Sequence, residues 1–419
     1  MTQPYDIAIV GGGMVGASLA VALAPLDLRV ALIEAVPHDA AEQPSFDERT
    51  TALSNGSRQI LTTLGVWPDV AGAATPIRKI HVSDQGRFGF ARIDAEERGL
   101  AALGYVLPNR VLGRALWSRI ETAAPISAFC PATVTRVTPG SLSTTLALEL
   151  ADGSECAVEA RLVVAADGAR SALRSAFGVG ADSRDYRQTA LITTLLPQRF
   201  HEHVAYERFT PSGPIALLPL ADGRCTLVFT VDAELAATAM SWSDAQFLAE
   251  VQQRFGFRLG RFLKAGRRAA YPLRLTHSER TSAGRCAIVG NAAQGLHPVA
   301  GMGFNLGLRD VASLAELIAE EKGAEEKRAA RGESEGFDAG SARLLGEYDA
   351  WRAEDRRAII AFTDGLVRVF GSTSPAVRGA RNFALLAFDL LPPAKAALQR
   401  LSTGASRRIP KLARGVALR

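Results

Sequence analysis

Six residues near the N-terminus constrain this chain more than any other feature. Gly11-Gly12-Gly13-Met14-Val15-Gly16 follows a short apolar run, Tyr5–Val10, and opens a small-residue stretch, Met14–Leu23, whose composition predicts a helix. In such a turn Gly11 permits the tight reversal, Gly13 lets a pyrophosphate approach the backbone, and Gly16 lets the helix pack close to a sheet. The N–H groups that open the helix, at Met14 and Val15 among others, are unpaired and carry its positive dipole end, which suits a phosphate. A second apolar run, Arg29–Ile33, leads to Glu34, eighteen residues beyond Gly16, where an acid can hold a ribose through its hydroxyls. Strand, turn, helix and acid together predict a dinucleotide site. The acid disfavours a 2′-phosphate and leaves FAD or NAD.

The rest of the composition removes whole classes. A length of 419 residues suggests two or three domains at roughly 100–200 residues each. The four cysteines, Cys130, Cys156, Cys225 and Cys286, lie far apart, so neither a structural zinc nor a redox dithiol is expected. No run offers the ~18 uncharged apolar residues of a membrane span, and the N-terminus lacks the layout of a signal peptide. The expectation is a cytoplasmic protein. Residues 400–419 carry six cations and no acid, against a net charge of +5 for the chain. Without aromatic interleaving, that basic tail is not read as a nucleic-acid surface.

Two further segments matter. Val163-Val164-Ala165-Ala166-Asp167-Gly168 is a buried strand ending in an Asp-Gly turn, and by itself fits a capped strand-to-helix turn. Ala287-Ile288-Val289-Gly290-Asn291 is a third such strand. It leads into His297-Pro298-Val299-Ala300-Gly301-Met302-Gly303-Phe304-Asn305-Leu306-Gly307, whose glycines free backbone N–H groups at a helix start.

This triple set resembles the flavoprotein aromatic hydroxylases of the para-hydroxybenzoate hydroxylase fold, in order and spacing over nearly the whole chain. Phe46–Ser54, Gly104–Arg110 and His297–Gly307 narrow the likeness to the ubiquinone-biosynthesis hydroxylases, closest to the 2-polyprenyl-6-methoxyphenol hydroxylase branch. The resemblance implies an α/β fold with an α+β insert: a Rossmann-like FAD-binding domain, a mixed-sheet substrate domain and C-terminal helices. The expected divisions are 1–75, 101–180 and 281–321 for the cofactor, and 76–100 with 181–280 for the substrate. Residues 322–340, charged and without an apolar face, read as an exposed insertion, and 341–419 as C-terminal helices.

By the same resemblance, Gly11, Gly13, Met14, Val15, Gly16 and Glu34 would bind the ADP part of FAD. Asp167 and Gly168 would serve FAD and an NAD(P)H donor, while Gly290 and Asn291 would meet the ribityl chain. Arg49 and Arg110 would contact the ribityl-phosphate part, and Pro298, Gly301, Gly303 and Asn305 would lie along the isoalloxazine. The chain departs from the pattern at Asn291, where the wider group has Asp, and at Met302, where the family has Gln. The implied reaction inserts one oxygen of O₂ into a polyprenylated phenol through a flavin C4a-hydroperoxide. His297 is then the one candidate base, against a purely structural role in the turn before Pro298. A polyprenyl substrate implies contact with the inner face of the cell membrane, for which Asn382–Leu398 and the basic tail are the candidates, and with other enzymes of the pathway. A flavin-binding scaffold without turnover, a monooxygenase of another phenol, and an isoprenoid reductase or epoxidase remain alternatives.

Overall fold

The computed structural model describes residues 3–40, 43, 45, 49–333, 336–371, 374, 379–381 and 408–418. The elements that build the site are, in chain order, β1 (Gln3–Val10), α1 (Met14–Leu23), β2 (Val30–Ile33), β3 (Thr50–Ser54), α2 (Asn109–Glu121), β4 (Glu155–Ala165), α3 (Ala172–Ala176), β5 (Ala181–Pro197), β6 (Val204–Thr210), β7 (Gly213–Pro219), β8 (Cys225–Asp232), α4 (Asp244–Phe255), β9 (Phe262–Ala265), β10 (Ala269–Ser278), β11 (Cys286–Ile288), α5 (Gly303–Ala329) and α6 (Ala342–Gly371).

Among the described residues the first sheet has eight strands. Its parallel centre runs β11, β4, β1, β2, with Ile7 beside Leu162 and Val164 beside Ala287. Leu162 to Ala165 are fully buried. Such an unbroken apolar run fits a parallel strand covered on both faces. One face packs on α1 and α5 through Leu19, Leu23, Leu308 and Val311. The other packs through Ala8, Val163 and Ile288 on the antiparallel hairpin of Ala132–Pro139 and Thr144–Leu150.

The second sheet has nine strands among the described residues and is mixed. β5 lies between β8 and β10, and β6 and β7 extend the β8 side. Lys79–Asp84 joins it parallel to β6, and Phe90–Asp94 pairs beside that strand. Strand alternation gives this sheet two unlike faces. Leu191, Leu217, Leu227 and Phe229 pack on Phe247, Val251 and Phe255 of α4. Their neighbours Ile192, Leu218, Thr226 and Val228 turn the other way, towards the first sheet.

Residues 322–340 are only in part the exposed insertion that their composition suggests: Glu326, Lys327, Ala329–Glu333 and Gly336 are exposed, but the segment is anchored at both ends. α5 continues unbroken to Ala329, Glu325 is buried beside Arg328 at 2.7 Å, and Ala339 is fully buried. Charges three and four residues apart pair along one helix face, so a segment without an apolar stripe can still be an ordered helix. The basic tail is likewise docked where it is described. Arg408 pairs with Glu316, Glu320 and Glu347, Lys411 with Glu320, and Leu412 and Leu418 are buried. The apolar segment Asn382–Leu398 lies outside the described residues. No helix among those described is long and apolar enough to cross a membrane.

Candidate functional site

A cleft of about 970 Å³ lies between the two sheets. The turn after β1, the Asp-Gly turn after β4 and the loop after β11 open onto it, as does the apolar face made by Ile192, Leu218 and Val228.

At the first turn Gly11 has φ +105, and a Cβ there would lie 2.3 Å from the Ala166 carbonyl oxygen. Added at Gly16, it would meet the Gly11 oxygen at 1.9 Å. Only glycine allows both backbones to come so close. Gly11, Gly13, Met14 and Val15 line the cleft, while Gly16 sits behind them as the packing contact. Neither a side-chain cap nor an acid in the first turn satisfies the N-terminus of α1. Glu34 closes the turn from the side: its Oε2 accepts from Gly12 N at 2.5 Å and its Oε1 from Val36 N at 3.0 Å. Trp117 of α2 fixes the same turn by donating from Nε1 to the Gly12 oxygen at 3.1 Å.

Asp167 and Gly168 line the cleft beneath this turn. The Asp167 carboxylate accepts from the Ser171 hydroxyl and from Leu173 N at 3.1 Å, so it also caps α3. Arg174 of α3 donates to the Ala292 oxygen at 2.7 Å and ties this turn to the loop after β11. In that loop Asn291 is exposed to the cleft, whereas Gly290 is buried against Val15 and gives its N–H to Asp310 at 3.0 Å.

The third segment forms the far end. Pro298, Gly301 and Gly303 line the cleft, and the N-terminus of α5 there again has no side-chain cap. Asn305 does not face the cleft. Its Oδ1 accepts from Ser54 N at 2.8 Å, and its Nδ2 donates to the Ala52 and Gly301 oxygens at 2.8 and 2.7 Å. These three backbone contacts consume the amide and clamp β3 to the loop. Arg49 lines the cleft with its guanidinium 4.6 Å over the Tyr271 ring. Arg110 is exposed and outside the lining, because successive residues on a helix point ~100° apart and Asn109 takes the inward place. Asn109 Oδ1 accepts from the Thr51 hydroxyl at 2.7 Å.

His297 lines the cleft but is almost fully buried. Its Nδ1 accepts from Val299 N at 3.1 Å, so the neutral ring carries its proton on Nε2, an atom with no partner among the described residues. Burial lowers its pKa to about 4. The ring is therefore neutral, and its Nδ1 lone pair is engaged by the turn before α5, which fits the structural role. Met302 also differs from expectation. It is buried with Leu306, Ile359 and Leu296, so its side chain belongs to a small apolar cluster and is not part of the cleft lining.

Ser45, Trp117, Arg174 and the row Ile192, Leu218, Thr226 and Val228 carry no signal in the sequence, whereas Asn109 lies in the segment Gly104–Arg110, next to an expected residue.

A profile of the FAD binding domain family matches residues 4–336. The chain is 36% identical to ubiquinone hydroxylase UbiL of Rhodospirillum rubrum, over 99% of this chain and 93% of that protein. It is 34% identical to 3-demethoxyubiquinol 3-hydroxylase of Escherichia coli, over 92% and 95%. In three dimensions it resembles p-nitrophenol 4-monooxygenase PnpA of Pseudomonas putida, with a TM-score of 0.78 at 19% identity, covering 97% of this chain and 100% of that one. An uncapped glycine turn, an acid beside it and a match of this extent lead to one assignment: the chain belongs to the FAD binding domain family, in the group that contains the ubiquinone hydroxylases.

Proposed function

We propose that this protein is an FAD-dependent aromatic-ring hydroxylase that adds one oxygen atom from O₂ to a polyprenylated phenol in ubiquinone biosynthesis. One observation carries the reading: two uncapped helix N-termini, of α1 and α5, open onto one cleft whose opposite wall is apolar. A dinucleotide with a pyrophosphate between its halves, and a ring that gathers negative charge on reduction, suits such a pair. The glycine turn fits the group, since it lines the cleft with backbone alone and the helix that it opens has no side-chain cap.

The N–H groups of Gly13, Met14 and Val15 would hold the pyrophosphate and Glu34 the ribose. Asp167, Gly168, Asn291 and Arg49 would hold the middle of the cofactor, with Pro298, Gly301 and Gly303 along the ring. Once reduced, for which NAD(P)H is the proposed donor, FAD supplies the activation of O₂. The chain supplies orientation and a dry site. Ile192, Leu218 and Val228 exclude water from the substrate face, which protects reactive oxygen species from decay. Thr226, whose hydroxyl meets that of Thr50 at 2.9 Å, is a polar group on this wall that can orient a ring oxygen. In this reading residues 1–75, 101–180 and 281–321 hold the cofactor, and 76–100 with 181–280 hold the substrate.

Visible absorption of the purified protein tests the cofactor, and mass analysis of a short-chain polyprenyl methoxyphenol incubated with reductant and O₂ tests the reaction. Flavin bands and one added oxygen are expected. Bound flavin without O₂-linked product would leave a binding scaffold.

A further inference from the structure

The edge of the second sheet gathers exposed side chains that a water-facing surface seldom clusters. β9 pairs with the end of β5, placing Ala265 opposite Leu195 and Lys264 opposite Leu196. The loop after β5 extends the contact: Gln198 N donates to the Arg261 oxygen at 2.8 Å, and Arg199 N to the Leu259 oxygen at 2.9 Å. This brings Phe200, Phe257 and Leu263 to one corner, exposed by 51, 66 and 53%. Phe262 turns inward against Phe255, so strand alternation sends Leu263 out. Arg199, Arg258, Arg261, Lys264 and Arg267 stand around them, all exposed. Residues 257–268 contain five cations and no acid. Arg268 of this run turns away to Asp244 at 3.3 Å. Glu202 and Asp222 flank Phe200, and Asp222 lies 3.7 Å from Arg224.

We propose that this corner docks the protein on an anionic lipid bilayer, an inference that rests on the reading of the substrate as a polyprenylated phenol. Apolar side chains interleaved with cations match the boundary between acyl chains and anionic headgroups. Protein interfaces also enrich aromatic residues and arginine but deplete charge at the centre, whereas here five cations surround three apolar side chains. The corner is also joined to the cleft wall through the sheet. Gly266 N donates to the Thr194 oxygen at 2.8 Å, and Thr194 is the cross-strand partner of Thr226 in the cleft wall.

The test is co-sedimentation of the full-length, flavin-loaded protein with phosphatidylcholine vesicles containing or lacking phosphatidylglycerol. Binding to the anionic vesicles is expected, weakened by salt. Arg261→Ser with Lys264→Ser should lower the partition at least ~tenfold, and Phe257→Ser with Leu263→Ser should lower it on both vesicle types. Leu142→Ser, at an exposed leucine on the first sheet's hairpin, should leave it unchanged. All variants should keep wild-type turnover of a short-chain phenol dispersed in detergent. If wild type does not bind anionic vesicles, or the corner variants bind like wild type, the proposal is overturned. In that event a corner-dependent shift to a larger complex in cell extract assigns the surface to a protein partner. Vesicle binding lost at the corner in a protein that hydroxylates no phenol supports the surface and overturns the substrate reading instead.

Discussion

Arg352 donates from Nε to Asp310 Oδ1 at 2.7 Å, with both side chains almost wholly buried. The other oxygen of Asp310 accepts from Gly290 N at 3.0 Å and from Gln294 Nε2 at 2.7 Å. A single carboxylate thus joins α6, near the end of the chain, to the loop that would carry the middle of the cofactor. Arg352 also meets Asp355 at 2.8 Å, and Asp355 meets Arg309 at 3.1 Å, so the charges form a buried chain from Asp310 to Arg309.

Breaking that network on one side leaves two buried cations, Arg352 and Arg309, sharing one carboxylate, Asp355. Asp310→Asn should cost about 3–5 kcal/mol of stability. It should also weaken flavin binding, because Gly290 and Gln294 lose their shared anchor. Chemical denaturation and flavin titration of the same preparation measure the two effects, and unchanged flavin affinity would remove Asp310 from any role in positioning the loop.

The glycines of the first turn differ sharply from those elsewhere. Gly16→Ala places a Cβ 1.9 Å from the Gly11 oxygen, so the turn must open and bound flavin should be lost. Gly72→Ala has nothing within 4 Å and should change stability by no more than about 0.5 kcal/mol. Flavin absorbance after purification separates the two variants directly.

Two buried titratable groups give pH effects of opposite sign. Burial lowers His297 to about 4, below its ordinary 6.5, so its contribution is full above 6.5 and is lost as pH falls towards 4. At pH 4 that amounts to about 3 kcal/mol. Burial raises Glu207 to about 8, so its contribution is full below its ordinary 4.5 and is lost as pH rises through 8. Glu207 is only half-buried, and the loss is discounted to about 2 kcal/mol. Unfolding curves should show His297→Gln losing less stability than wild type between pH 7 and 5, and Glu207→Gln losing less between pH 5 and 8.5. Parallel pH slopes for variant and wild type would refute either assignment.

Met302 is, with Asn291, one of two residues at which the chain departs from the pattern it resembles. Met302→Gln buries an amide among Leu296, Leu306 and Ile359 and should cost about 1–3 kcal/mol without improving turnover. Thermal denaturation and turnover of a short-chain phenol check this, and a faster, equally stable variant would place the side chain at the flavin instead.

The glycine turn with Glu34, the Asp-Gly turn and the segment from His297 to Gly307 were all legible in the sequence, and the structure brings them to one cleft. The reason is local. A positive φ at Gly11, Gly168, Gly290 and Gly301, and a helix start without a cap, are properties of a few adjacent residues. What those residues face is another matter. Asn305 is spent on the backbone of Ala52 and Ser54, Arg110 falls outside the cleft because Asn109 points in, and His297 gives its Nδ1 to Val299. The acids that neutralise Arg408 and Lys411 come from α5 and α6. By itself the sequence determined the turns and the charges available to hold a dinucleotide. The tertiary structure decided which side chains enter the cleft, because orientation depends on packing partners hundreds of residues away, and no local pattern records them.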